Sequence, residues 1–387
     1  MKIANRMEKL APSLTLSITA LANELKAAGK DILSFSAGEP DFDTPQVVKD
    51  AAIKAINEGK TKYTAVEGIK ETKQAIINKL KKDHNLDYTL DKIVISNGAK
   101  HSLFNLAQAL IDEGDEVIIP SPYWVTYPEL VVYSGGVPVF IETDESTEFK
   151  ITAKQLKEKI TPKTKILMLN SPSNPTGSIY SKDELLAIGE VLKGTDIVVL
   201  SDEMYEKLIY KGKKFTATAE VSEDMYNRTV TINGLSKSVA MTGWRFGYVA
   251  CPNSALAKAM SKLQGQVTSN VNSMTQYAAI VALEGEANKD IEMMRVEFEK
   301  RKDYAVKAIN NISKLSCYDP DGAFYLFINI KKYSNDSMKF CADLLENKGV
   351  ALVPGLAFGM EGYVRLSFAT SMKAIEDGIN RIKEFVE

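Results

Sequence analysis

Cysteine is scarce in this chain: Cys251, Cys317 and Cys341 are the only three in 387 residues, odd in number and far apart. They cannot build a disulfide framework or a CxxC metal or redox site, so a reducing compartment, the cytoplasm, is the economical expectation. Histidine is scarcer still. His84 and His101 are the whole supply, which leaves a multi-histidine zinc site or a histidine relay little to work with, and no metal is expected. An excess of one charge is also missing, with 48 Lys and Arg against 50 Asp and Glu for a formal net charge of -2; no basic footprint for nucleic acid and no acidic tail can be read from that balance. Nor does any run approach the roughly 18 apolar residues that a membrane span needs. The stretch from Leu10 to Asn23, behind Lys2, Arg6 and Lys9, superficially resembles a signal peptide, but Pro12, Ser13, Thr15, Ser17 and Thr19 interrupt it. Leu14, Ile18, Leu21 and Leu25 recur there at helical spacing, predicting an amphipathic helix capped near Ser13. GxGxxG, GxxxxGK[ST] and GxSxG are all absent, which removes the dinucleotide fingerprint, the P-loop and the nucleophile elbow. Chemistry here must rest on Lys, Tyr, Asp or Arg.

What is present is a long alternation of strand-length apolar segments with helical patterns, the mark of βα units around a largely parallel sheet. Strands are expected at Ile93 to Ser96, Glu116 to Ile119, Val137 to Ile141, Lys165 to Asn170, Ile197 to Ser201, Thr229 to Ile232 and Phe246 to Ala250, with a helix from Ala99 to Ile111. Thr44-Pro45 reads as a helix entry, Thr as N-cap and Pro in the first turn. Near Asn288 the pattern changes to a long charged helix reaching about Asn310, then to strands around Ala323 to Ile330, Val350 to Val353 and Val364 to Phe368. The expectation is a large α/β domain over residues 45–287 with a central, mostly parallel seven-stranded sheet, and a smaller α+β domain formed by 1–44 and 288–387.

Several segments carry candidate chemistry. In Asn233-Gly-Leu-Ser-Lys237, followed by Gly243-Trp-Arg245-Phe-Gly247, a lysine whose pKa is lowered becomes an amine nucleophile able to form a Schiff base with an aldehyde. Ser236 and Arg245 are placed to bind a phosphate on the same ligand. The bland alternative is a surface lysine beside a structural arginine. Asp202 ends a strand so apolar that it belongs in the middle of the sheet, where ligands bind outside the carboxyl ends; an Asp there can pair with a pyridinium nitrogen, and Tyr205 can offer a hydroxyl to the ring. Both also suit an N-cap and a core Tyr. Ser-Pro-Ser-Asn174-Pro-Thr-Gly177 would present the Asn174 amide at the same edge, though turn chemistry alone explains it. Gly98-Ala99-Lys100 stands where a strand hands over to a helix, an anion site by its NH groups and dipole, or a plain turn. Trp124, in the aromatic turn Pro122 to Pro128, suits stacking on a planar ring or a core role. Arg365 is flanked by apolar residues, which is costly unless it meets a carboxylate from a substrate or from the protein. Ser36-Ala-Gly38-Glu-Pro-Asp-Phe and Lys62-Tyr63-Thr64 are turns whose purpose local pattern does not reveal.

In order and spacing these segments together resemble the class I aminotransferases of fold type I that use pyridoxal 5′-phosphate, particularly the bacterial aspartate aminotransferase group, over almost the whole chain. The resemblance implies that Lys237 carries the cofactor and shuttles a proton at the substrate α-carbon, that Asp202 pairs with the pyridine nitrogen, and that Tyr205 and Asn174 reach the ring hydroxyl oxygen. It further implies that Gly98, Ala99, Ser236 and Arg245 hold the phosphate, that Trp124 stacks on the ring, and that Tyr63 reaches the phosphate of a neighbouring subunit in a homodimer whose sites lie at the interface. Arg365 would clamp the substrate α-carboxylate, assisted by Asn174, Trp124 and the Gly38 backbone. Lys100 occupies the position where relatives read a distal acidic side chain, which favours aspartate and glutamate with oxaloacetate and 2-oxoglutarate. The chain departs from those relatives at Ala99, a common glycine, and at Ala11, often basic where prephenate is accepted. An alanine or aromatic aminotransferase is the alternative within the family. An eliminating enzyme or a non-catalytic binding protein on the same fold stand further off.

Overall fold

The computed structural model describes residues 2–387; residue 1, assigned above to the smaller domain, lies outside them. All seven strands of the expected sheet form, within two residues of the anticipated bounds: β1 (Ile93–Asn97), β2 (Glu116–Ser121), β3 (Val137–Glu142), β4 (Thr164–Asn170), β5 (Val198–Asp202), β6 (Thr229–Gly234) and β7 (Phe246–Ala250). Their spatial order is β1-β7-β6-β5-β4-β2-β3. From β6 to β3 every pairing is parallel, whereas β7 runs antiparallel to both β6 and β1. The central strands are apolar on both faces because helices cover both. Ile166, Leu167, Val199, Leu200, Val230 and Ile232 are all essentially inaccessible, and each such burial contributes about 1.5–3 kcal/mol. A one-residue slip would exchange the two faces of a strand, so the register is held by packing on both sides.

A second, four-stranded sheet joins Tyr325–Asn329 and Tyr363–Ser367, antiparallel, with Val353–Pro354 and Ser316–Cys317 at its edges. Leu33–Ser34 pairs in parallel with Val350–Ala351, so the N-terminal segment packs with the C-terminal third. The single strand expected at Val350 to Val353 is therefore two, because the chain changes sheets at Leu352. The strand expected from Ala323 starts only at Tyr325; Ala323 has φ +58 and lies outside strand geometry. The long helix runs from Asn288 to Asn310.

Two helix entries differ from expectation. The helix after Thr44 is Gln46–Asn57, with Pro45 at the N-cap position. The Thr44 hydroxyl instead donates to the Ala240 carbonyl at 2.7 Å and accepts from Trp244 Nε1 at 3.0 Å, so a tertiary partner has displaced the local one. The first long helix, Leu14–Ala27, starts where predicted, yet Ser13 makes no cap bond to it and pairs with the Thr15 hydroxyl at 2.9 Å. Of its expected apolar stripe, Leu14, Ile18 and Leu25 are half-buried and Leu21 is exposed. Among the described residues no helix is long and apolar enough to cross a membrane.

Candidate active site

The register brings chemistry to one edge of the central sheet. Asn170 lies beside Asp202 at the ends of β4 and β5, Asp202 beside Ile232 of β6, and Gly234 beside Gly247. Above these carboxyl ends is a cavity of about 390 Å³, closed on the far side by the strand that carries Arg365. Of the residues singled out in the sequence, all but Gly98 and Tyr63 line it. Gly98 lies just beneath, next to Ala99; Tyr63 is elsewhere, 91% exposed on the single chain.

Lys237 follows the turn after β6. Its ammonium donates to the Gly38 carbonyl, and burial, the largest influence, pulls its pKa down to about 8, with Arg365 and Arg245 pulling the same way against Glu39 and Asp202. An appreciable fraction is thus a neutral amine near physiological pH, as a nucleophile or proton carrier requires. Asp202 is shifted oppositely. Burial pushes its carboxyl up to about 6, against a hydrogen bond from the Tyr127 hydroxyl at 2.7 Å and a longer one from the Met204 NH. No lysine, arginine or histidine pairs with it among the described residues. Tyr205, also buried, shares a hydrogen bond of 2.9 Å with the Tyr325 hydroxyl.

Arg365 sits mid-strand and 2% exposed. It donates to Asn174 Oδ1 at 2.9 Å and to the Ser36 carbonyl at 2.8 Å, and it stacks 4.4 Å from the Tyr325 ring centre and 5.0 Å from that of Phe358. Its Nε has no partner, and no carboxylate pairs with it among the described residues. A structural Asp or Glu, the ordinary companion of a buried arginine, is absent. A cation so desolvated is expensive unless a ligand supplies the anion.

The opposite end suits a phosphate. Gly98, with φ +81, caps the helix Ala99–Leu110; its carbonyl takes the His101 and Ser102 NH groups, and the NH groups of Ala99 and Lys100 have no backbone acceptor among the described residues. Arg245 curls over them, donating to the Thr242 carbonyl at 2.8 Å and the Asn97 carbonyl at 3.4 Å. A Cβ on Gly98 would come within 2.3 Å of Arg245 Nη2, and one on Gly247 within 2.3 Å of the Ala99 nitrogen, so glycine is what lets these backbones close up. Lys100 reaches into the cavity with Nζ 4.9 Å from the Trp124 ring centre; desolvation first, then Arg245, lowers its pKa.

Anion donors at one end, an unpaired buried carboxylate at the floor and an amine between them fit pyridoxal 5′-phosphate, and an unpaired buried guanidinium fits a carboxylate of a second ligand. Sequence reasoning missed Tyr127, Tyr325 and Asn170. Asn170 donates to the Asp202 carbonyl at 3.0 Å and accepts from the Asn174 NH at 2.8 Å. Tyr127 belonged to the aromatic turn already noticed, and Asn170 ended a recognised strand; Tyr325 had no local signal. A further titratable cluster, Asp83, His84 and Glu206, lies outside the cavity. Lys79 and Lys207 already pair with its carboxylates, and Glu206 and Glu220, at 2.9 and 3.1 Å from the two ring nitrogens of His84, hold it protonated, its pKa pushed up to about 9 despite burial, the largest influence.

Residues 30–382 match the model of the family described as aminotransferase class I and II. The chain is 50% identical to an aspartate aminotransferase of Geobacillus stearothermophilus, covering 100% of this chain and 99% of that protein. It is 46% identical to an aspartate/prephenate aminotransferase of Nitrosomonas europaea, over 99% of both. Among solved structures, the aspartate aminotransferase of Rhizobium meliloti superposes with a TM-score of 0.96 at 42% identity, covering 99% of this chain and 98% of that one. The Thermus thermophilus aspartate aminotransferase with maleate gives 0.96 at 38%, over 99% of each.

Proposed function

Because the chain belongs to the aminotransferase class I and II family, we propose that it transfers the amino group of aspartate or glutamate to a 2-keto acid, 2-oxoglutarate or oxaloacetate, in two half-reactions with pyridoxal 5′-phosphate. The observation that carries the substrate reading is Arg365, a buried guanidinium with a free Nε and no protein carboxylate. It grips the α-carboxylate common to amino and keto acid, with the Asn174 amide fixing its plane. The cofactor, when bound, supplies a carbonyl to receive the amino group and a ring that withdraws electrons from the α-carbon.

Asp202 holds a proton on the ring nitrogen; its own desolvation makes a cationic partner worth more there than in water. Tyr205 and Asn174 reach the ring oxygen, Trp124 covers the ring face, and Gly98, Ala99, Ser236 and Arg245 hold the phosphate. Lys237 anchors the cofactor and then moves the proton at the substrate α-carbon, for which an amine near pH 8 is poised. At the side-chain end, Lys100, Ser13 and Thr15 line the cavity beside Leu16, Leu103 and Val125, and Lys100 supplies the cation that a distal carboxylate requires. Ala11 offers no second cation.

Residues 45–287 form the cofactor-binding unit, and 1–44 with 288–387 the unit that closes over substrate. The working form is a homodimer, in which the exposed Tyr63 reaches the partner's phosphate. Three buried, unpaired thiols accord with the cytoplasm.

The test is the visible absorbance of the protein loaded with pyridoxal phosphate, followed through addition of aspartate and then 2-oxoglutarate. A band that aspartate bleaches and 2-oxoglutarate restores is expected. A band shifted by alanine or phenylalanine but not by aspartate would overturn the substrate assignment.

A further inference from the structure

The loop from Ser36 to Thr44 is irregular, yet it touches both catalytic cations. Its Ser36 carbonyl accepts from Arg365 at 2.8 Å and its Gly38 carbonyl accepts from Lys237. A backbone without a ladder of its own must be held by its side chains. On one flank Glu39 accepts from the Thr242 hydroxyl at 2.8 Å and Thr44 donates to the Ala240 carbonyl at 2.7 Å, so that flank is tied to the loop that follows Lys237. The other flank is held to the Asn288–Asn310 helix by Arg301. Its Nη1 donates to Asp41 at 2.7 Å and its Nε to Glu297 at 3.2 Å. The guanidinium also lies 5.1 Å from the Phe42 ring centre and 5.5 Å from that of Phe298, rings that meet edge to face at 5.3 Å. Arg301 is only 6% exposed, so the fork is packed as well as paired.

We propose that Arg301 is a positioning residue for this site: by pinning Asp41 and Phe42 it fixes the Ser36 and Gly38 carbonyls, and through them the aim of Arg365 and Lys237. The assignment rests on the roles given above to those two residues. Arg301 touches no reacting atom, and its whole effect passes along five residues of loop. Lysine can replace it only in part, since one ammonium keeps the charge but cannot bond two carboxylates in plane while lying against two rings.

The experiment is calorimetric binding of succinate, an unreactive dicarboxylate, to the enzyme loaded with pyridoxal phosphate, alongside melting temperature and steady-state kinetics. Arg301→Met and Asp41→Asn should each weaken succinate about tenfold, and the double variant should be no worse than the weaker single, because both break one tie. Arg301→Lys should recover part of the loss. Asp41→Asn is isosteric and lies near the surface, so it reports even where Arg301→Met folds poorly. Ile188→Ala, buried on the helix Lys182–Leu192 in a hydrophobic cluster that contains no residue of the loop or of the Arg301 helix, serves as the control for stability. Should Arg301→Met and Asp41→Asn lower the melting temperature as this control does while succinate binds as in the parent, Arg301 is structural only and the inference is wrong. Failure of the parent protein to bind succinate at all would overturn the dicarboxylate reading instead, and with it the basis of this one.

Discussion

Removing the Tyr127 hydroxyl isolates the electrostatics of Asp202. In the folded apoprotein that carboxyl titrates at about 6, whereas an unperturbed aspartate titrates at 3.8. The folded state therefore keeps its proton longer, and stability falls as pH climbs from about 4 to about 6, by roughly 3 kcal/mol at about 1.4 kcal/mol per pH unit. Tyr127 limits that loss by donating to the ionised form at 2.7 Å. A hydrogen bond to a charged group contributes about 1.5–3 kcal/mol, so Tyr127→Phe should move the Asp202 midpoint from about 6 to about 7 or 8. The hydrogen bond to the neutral acid is lost at every pH, but the charge-dependent part appears only once the carboxyl ionises. Unfolding entropy near 2.1 cal/mol/K per residue, over 387 residues, converts about 1.5–3 kcal/mol into about 2–4 °C. The assay is the melting temperature of apoprotein, parent and variant, from about pH 5 to about pH 9. The gap between them should widen by that amount toward the alkaline end. Adding pyridoxal phosphate should carry the widened gap down to the acid end and so flatten its pH dependence, since a cation beside Asp202 lowers its pKa and keeps it ionised throughout. A gap that stays constant with pH in the apoprotein would refute the reading of Tyr127 as the donor that keeps Asp202 ionised.

Lys237→Ala should lower turnover by several orders of magnitude while pyridoxal phosphate remains bound but removable by dialysis; near-normal kcat would dismiss its assigned role. Arg365→Met removes a buried charge without a counter-ion, so the melting temperature of the apoprotein should hold or rise, while the KM for amino and keto acid alike climbs about a hundredfold or more, the loss of a bidentate charged contact of about 3–5 kcal/mol. An effect on only one of the two substrates would show that it is not their common clamp. Lys100→Ala should raise KM for aspartate and 2-oxoglutarate and spare alanine, with equal losses on all three counting against a distal-carboxylate role. Gly98→Ala combines φ +81 with a Cβ driven into Arg245, so equilibrium dialysis should show weaker retention of pyridoxal phosphate by at least tenfold, about 1.4 kcal/mol or more; unchanged retention would mean that the helix start does not hold the phosphate.

Much of this molecule was legible locally. The seven strands declared themselves because a sheet covered on both faces needs short, unbroken apolar runs, and turn residues punctuate them. Lys237, Asp202 and Asn174 were legible because each stands at or just past the end of a recognisable strand, where such sheets bind ligands, and Arg245 because it shares the Gly-rich stretch of Lys237 and leads into the next strand. Elements that draw their stability from distant partners were less so. The two-residue strands at Leu33 and Ser316 are too short to show a period, and Val350 to Val353 looked like one strand because a change of sheet leaves no mark on the hydrophobic pattern. Thr44 looked like an N-cap because its competing partner, the Ala240 carbonyl, is 196 residues away.

By itself, then, the order of residues determined the fold class, the run of the large sheet and which side chains carry unusual chemistry, since these follow from periodicity, turn preference and side-chain type. Only the tertiary structure decided how those groups are tuned. Burial brings Lys237 down to about 8 and Asp202 up to about 6, and burial is a property of everything packed around a residue. Nothing near Arg365 in the chain says that it lacks a carboxylate, nor anything near Tyr127 that it serves Asp202 from 75 residues away. The loop of Ser36 to Thr44 acquires its purpose in the same way, when folding sets its carbonyls against Arg365 and Lys237 and its far side against Arg301.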